Sequence, residues 1–192
     1  TYKVLSNNTL DITFDATTDK ETVVNMTNHS YFNLNGDPSK EGTNMWLYLN
    51  ADNYTPADST YMTTGEIRSV EGTPMDFRKA HALEETINDT SFDQIRNATG
   101  YDHNWCLNTY KNGKGDDTKV CAVLWSPVTK IGLSMYTNEP GVQVYTGNFQ
   151  GTGVSCKHGI KYPKHVSVCL ESQKYPDSPN KPNWPSPYLK PG

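Results

Sequence analysis

Apolar and β-branched residues along this chain come in short runs, at 10–14, 22–31, 45–49, 105–107, 120–125, 131–136, 142–145 and 166–170, separated by clusters of Gly, Pro, Asn and Asp. Runs of this length and composition between turn residues read as strands, so the pattern predicts an all-β protein. One stretch, 80–87, has helix-forming composition but spans only a couple of turns, too short to organise a fold, and is expected as a surface turn of helix. The segment 175–191 carries six prolines and is expected to run as extended, irregular chain wrapping the sheet.

Side chains alternate across a strand, which assigns faces. Val166, Val168 and Leu170 share one face, while Ser167, Cys169 and Glu171 share the other. Tyr101, His103, Trp105 and Leu107 oppose Asp102, Asn104 and Cys106, and Val142 and Val144 oppose Gly141, Gln143 and Tyr145. His29 shares parity with Asn25, Thr27 and Tyr31, although Asn28 and Ser30 spoil the alternation. Asp102, Gln143, Glu171 and His29 are therefore expected to line one polar groove, with Val168 and Leu170 supporting it from behind. Such a groove suits a polyhydroxylated ligand. A single His or Asp in a β protein is usually a solvated or hydrogen-bonded structural group, so parity alone does not carry the assignment.

A length of 192 residues fits one domain, and a formal net charge of −4 provides no basic field for a nucleic-acid backbone. No apolar run approaches the roughly 18 residues needed to cross a bilayer, so neither nucleic acid nor a membrane is expected as a partner. Thr1 is not an initiator methionine and the last residues have a turn composition, so the sequence reads as cut at both ends. Cys106, Cys121, Cys156 and Cys169 are too sparse for a disulfide scaffold. Cys106 and Cys121 could face each other across a hairpin turning at 112–115, but buried reduced thiols are the expectation. Asn-x-Ser/Thr sequons at Asn25 and Asn28 fall inside the candidate catalytic strand, where a glycan would block packing. This favours a cytoplasmic setting and leaves a bacterial periplasmic one open.

Other chemistry finds no support. The run 147–153 lacks the Lys-Ser/Thr of a phosphate-binding loop, no Gly-x-Ser-x-Gly elbow occurs, and the cysteines lack paired zinc spacing. His158 and His165 read as loop residues rather than metal ligands.

Several motifs together are informative. They are Asn25-Met26-Thr27-Asn28-His29-Ser30-Tyr31-Phe32-Asn33-Leu34, Gly72-Thr73-Pro74-Met75-Asp76-Phe77, Gly100-Tyr101-Asp102-His103-Asn104, Pro140-Gly141-Val142-Gln143-Val144-Tyr145 and Cys169-Leu170-Glu171-Ser172-Gln173. In this order, over nearly the whole chain, they resemble the aldose 1-epimerases, or galactose mutarotases, in phrasing nearest to bacterial members.

The resemblance implies a large antiparallel β-sandwich with a sugar cleft on one sheet. It implies interconversion of the α and β anomers of free hexoses such as galactose and glucose. Glu171 would be the general base and His29 the general acid, with Asp102 and Gln143 binding sugar hydroxyls and no metal or cofactor needed. Tyr31, Tyr101 and Tyr145 are candidates for stacking against the sugar. The family's N-terminal Asn-Arg pair and His-Gly-Gly stretch have no counterpart here. The chain is thus expected to be the C-terminal portion of a single sandwich domain, completed by an N-terminal companion segment. Two alternatives stay open: a catalytically silent carbohydrate-binding sandwich and a hexose-6-phosphate 1-epimerase. The latter would call for an Arg/Lys cluster, and Arg68, Arg78 and Arg96 lie outside the matched catalytic motifs.

Overall fold

The computed structural model describes residues 1–192, and its chain order is almost entirely strand. The first strands are β1 (Tyr2–Leu5), β2 (Thr9–Ile12), β3 (Thr22–Val23), β4 (Trp46–Leu49), β5 (Asn53–Thr55), β6 (Arg68–Ser69) and β7 (His81–Ala82). After the helix α1 (Asp93–Ala98) come β8 (Asp102–Cys106), β9 (Tyr110–Lys111), β10 (Lys114–Gly115), β11 (Ala122–Trp125), β12 (Gly132–Met135), β13 (Gly141–Tyr145), β14 (Cys169–Gln173) and β15 (Tyr188–Leu189).

Two antiparallel sheets dominate, one of four strands in the order β12-β11-β4-β7 and one of five in the order β14-β13-β8-β5-β6. Alternation decides which side of each strand is covered. In β4, Leu47 and Leu49 point inward while Trp46 is exposed; in β11, Ala122 and Leu124 are fully buried. These four side chains share one continuous core with Tyr54, Trp105, Val142, Val144, Val168 and Leu170 of the other sheet and its approach. Full burial of each large aliphatic or aromatic side chain contributes roughly 1.5–3 kcal/mol, and this holds the two layers together. The five-stranded sheet is thereby left with one face free to form a site.

Two sequence expectations are corrected. The stretch 80–87 is not a helix: His81 and Ala82 pair with Leu47 and Trp46, and only Leu83–Glu85 make a 3₁₀ turn. Cross-strand pairing and the burial of Leu83 and Ile87 in the core override local helix propensity here. The α-helix present is Asp93–Ala98, a single amphipathic turn and a half that buries Gln94, Ile95 and Ala98.

The run 22–31 forms a ladder only at Thr22–Val23, against β15. Beyond it, the Asn28 side chain accepts the Ser30 N–H at 3.3 Å, a local bond that competes with strand pairing. The cysteines are all free; Cys121 and Cys169 are buried, whereas Cys106 is half-buried and Cys156 exposed. The proline-rich tail is mostly irregular, as its composition dictates, with a 3₁₀ turn at Ser178–Asn180 and Trp184 packed against Tyr175.

Candidate active site

The outer face of the five-stranded sheet is set by register. β13 pairs with β14 so that Gln143 lies opposite Glu171 and Tyr145 opposite Cys169, and it pairs with β8 so that Gln143 lies opposite Asn104 and Tyr145 opposite Asp102. Because these residues alternate with Val142, Val144 and Leu170 of the core, they share the face turned away from it. Polar side chains from three adjacent strands thus form the floor of a cleft of about 410 Å³, lined by His29, Tyr31, Asp102, Gln143, Tyr145, Phe149, Glu171, Gln173 and Pro176. That volume suits a small molecule, since such sites commonly enclose roughly 300–1,000 Å³.

His29 reaches this floor from outside the ladder. Phe32 and Val168 form an isolated antiparallel bridge, exchanging both backbone hydrogen bonds at 2.9 Å. In an antiparallel pair, moving back along one chain matches moving forward along the other, so three residues from the bridge His29 comes level with Glu171. Their side chains meet, with Nε2 of His29 3.4 Å from Oε1 of Glu171. At its other end the segment is fixed by Asn25, whose side chain donates to the Lys174 carbonyl and accepts the Lys174 N–H. Tyr31 stacks on the His29 ring at 4.9 Å between centroids, and Tyr145 meets it edge-on at 6.2 Å.

A chain of hydrogen bonds orients the floor. Gln143 Nε2 donates to Asp102 Oδ1 at 2.8 Å, and Gln143 Oε1 accepts from Gln173 Nε2 at 2.9 Å. Gln173 Nε2 also donates to Asn104 Oδ1 at 3.2 Å. A carboxylate only accepts, so Asp102 fixes which way round each amide sits. Gly141 makes room for this arrangement: a Cβ there would lie 2.2 Å from Asn104 Oδ1 and 3.0 Å from the Tyr175 ring.

The two carboxyl groups are held above the ordinary carboxylate range. For Glu171 burial raises the pKa most, His29 opposes it and Asp102 adds to it. For Asp102 burial again leads, opposed by the Gln143 hydrogen bond and by His29. A raised pKa makes a carboxylate a stronger base. Glu171 is 8% exposed whereas His29 stands open to the cleft, so one partner of the pair is embedded and the other reachable. Donor atoms of His29, Cys169 and Glu171 lie within 4.8 Å of one another, a set able to hold a metal ion.

All four residues singled out from the sequence, His29, Asp102, Gln143 and Glu171, lie on this one cleft, and Val168 and Leu170 are behind it in the core. Tyr31 and Tyr145 also line it. Tyr101 does not: it is fully buried, and its hydroxyl donates to the Pro74 carbonyl at 2.9 Å. Its parity, opposite to Asp102, already assigned it to the core. Sequence reasoning passed over Gln173, Phe149 and Pro176. Continuing the alternation two residues beyond Glu171 reaches Gln173, while Phe149 and Pro176 sit on loops that carry no periodicity.

Comparison with known proteins places this geometry in context. The family model described as aldose 1-epimerase matches residues 1–192. The chain is 41% identical over 193 residues to an aldose 1-epimerase of Escherichia coli, covering 100% of this chain and 54% of that protein. It is 39% identical over 189 residues to a human galactose mutarotase, covering 98% of this chain and 52% of that one. Among solved structures, an aldose epimerase homologue from C. elegans superposes with a TM-score of 0.76 at 29% identity, over 92% of this chain and 50% of that one. A galactose 1-epimerase from Lactobacillus acidophilus gives 0.71 at 28% identity, over 91% and 47%. The chain spans about half the length of these relatives. A match running from the first residue to the last, on a sheet whose open face carries the cleft, settles its membership: the chain belongs to the aldose 1-epimerase family.

Proposed function

We propose that the complete protein interconverts the α and β anomers of free aldoses such as galactose and glucose. This chain would supply the base, the acid and part of the sugar-binding floor as the C-terminal portion of one sandwich domain. A companion segment corresponding to the rest of the relatives' length belongs to the same reading. The observation that carries it is the Glu171–His29 pair, 3.4 Å apart over a floor of oriented amide and carboxylate groups. Relatives named galactose mutarotase and aldose 1-epimerase support it.

In this reading Glu171 takes the proton of the anomeric hydroxyl as the C1–O5 bond breaks, and His29 Nε2 gives its proton to the ring oxygen. The product is the open-chain aldehyde. Rotation about C1–C2 presents the opposite carbonyl face. His29 then removes the proton from the O5 hydroxyl as that oxygen adds to C1, and Glu171 returns its proton to the carbonyl oxygen, so both groups end as they began. Positioned acids and bases each contribute roughly 10²- to 10⁴-fold to such steps. Asp102 and Gln143 hold sugar hydroxyls, and Tyr145 and Phe149 offer aromatic surface for C–H faces. The cleft lining of this chain has no Arg or Lys, which favours free over phosphorylated sugars.

Polarimetry on freshly dissolved α-galactose with the complete protein tests the reading. Equilibration well above the buffer rate is expected. Saturable sugar binding with a rate equal to buffer would replace it with the silent binding-module alternative.

A further inference from the structure

Directly beneath the cleft floor lies one group that this reaction leaves idle. Cys169 precedes Glu171 by two residues on β14, so it emerges on the same face, fully buried where Glu171 is nearly so. Its sulfur, a His29 ring nitrogen and a Glu171 carboxylate oxygen lie within 4.8 Å of one another, with the nitrogen and oxygen already at 3.4 Å. A tetrahedral zinc ion with bonds of roughly 2.0–2.3 Å spaces nitrogen, oxygen and sulfur ligands about 3.3–3.6 Å apart. Two donors therefore stand at the required separation, and the third has at most about 1.2 Å to close.

The donor chemistry selects the ion. Thiolate and imidazole suit zinc and softer divalent ions, whereas magnesium and calcium call for oxygen alone. Charge favours a cation as well, because Glu171 and Asp102 share the floor and no Lys or Arg lines it. A divalent ion displaces the thiol proton and binds the sulfur directly.

We propose that His29, Cys169 and Glu171 form an inhibitory site for zinc or a similar borderline-to-soft divalent cation. Binding forms one metal–sulfur, one metal–nitrogen and one metal–oxygen bond and releases the thiol proton to solvent, with no change of oxidation state. Water fills the fourth position. The captured ion occupies the lone pairs of both proton carriers, so sugar turnover stops until the ion leaves. Capture follows from the donor geometry alone; inhibition rests on the reading of Glu171 and His29 as proton carriers.

Cobalt(II) is a suitable probe, added to the chelator-stripped complete protein carrying Cys156→Ser so that the exposed thiol cannot contribute. One cobalt per chain is expected, with thiolate-to-cobalt charge-transfer absorption that added zinc abolishes. Cys169→Ser should remove that absorption. His29→Asn, at an exposed position where folding is not at risk, should weaken binding by at least the roughly 10- to 100-fold that loss of an outer-shell partner costs. Absence of the charge-transfer band, or its persistence in the Cys169→Ser chain, overturns the site. In the complete protein, micromolar zinc should suppress mutarotation and a chelator should restore it. Cobalt capture without suppression by zinc would overturn the inhibitory role while leaving the ion site standing.

Discussion

Gln173 and Gln143 are joined head to tail: the amide nitrogen of Gln173 donates to the amide oxygen of Gln143 at 2.9 Å, which leaves the Gln143 nitrogen to face Asp102. The relay gives a residue outside the proposed chemistry control over the orientation of one inside it. Replacing Gln173 with Leu would strand two acceptors, on Gln143 and Asn104, in a largely buried setting. Unsatisfied buried groups cost about 1–3 kcal/mol each. Sugar KM should rise more than kcat falls, with Gln173→Glu failing to rescue because it donates nothing when ionised. An unchanged KM in the Leu variant would remove Gln173 from the binding network.

Glu171→Gln keeps shape and some hydrogen bonding but removes the proposed base. Turnover of the complete protein should fall by roughly 10²- to 10⁴-fold while sugar affinity, read by calorimetry, changes little. A variant turning over near the wild-type rate would shift the role of base to Asp102, the other carboxylate on the floor.

Gly141→Ala places a methyl carbon 2.2 Å from Asn104 Oδ1, on the opposing strand β8. Overpacking of this kind costs typically about 1–3 kcal/mol. Urea unfolding should show a lowered midpoint with an unchanged slope. A midpoint equal to that of the parent would mean the Asn104 side chain moves aside freely, contrary to its tight burial.

His103 is expected to weaken the fold in acid. It is enclosed between Tyr54 and Trp105, accepts the Asp102 N–H at 3.1 Å on Nδ1, and has a buried Nε2 without a partner. Burial pushes its pKa down to about 4. In the unfolded chain it titrates near about 6.5, so as pH falls from there the unfolded state takes up a proton that the folded state refuses. The resulting loss of stability begins near the unfolded value, grows until the folded value near 4 is passed, and then levels off at an order of magnitude of 3 kcal/mol. The raised Glu171 and Asp102 carboxyls act with the opposite sign, so the quantity to measure is a difference. Between pH 6.5 and 4 the parent should lose stability faster than His103→Gln by close to one proton's worth of slope. Parallel curves would rule out the buried neutral imidazole.

The sheets were legible because a half-covered strand imprints an alternation, which β13 displays cleanly and β8 and β14 in part. Those three strands carry Asp102, Gln143 and Glu171, so three members of the floor followed from counting by twos. His29 was legible through the motif around it; the strand parity also used for it has no strand to rest on, because the ladder there ends at Val23. What escaped was decided by partners distant in sequence. His81 and Ala82 became strand because Trp46 and Leu47 lie beside them, and the short strands β5, β6 and β7 have too few residues to show a period. Tyr101 was chosen on aromatic chemistry against its own parity, and the parity prevailed.

The attachment of the His29 segment makes the two proposed proton carriers mechanically unequal. Glu171 belongs to a ladder bonded to β13 along its length, so displacing it means breaking several backbone hydrogen bonds together. Between Val24 and Phe32, by contrast, no backbone-to-backbone hydrogen bond holds the chain, which is pinned at its ends through Asn25 and Phe32. The proposed base is set in a stiff frame, while the proposed acid hangs on a compliant span. For the proposed reaction this means that the imidazole can adjust its distance to the ring oxygen, whereas the anomeric oxygen must come to a carboxylate that stays in place.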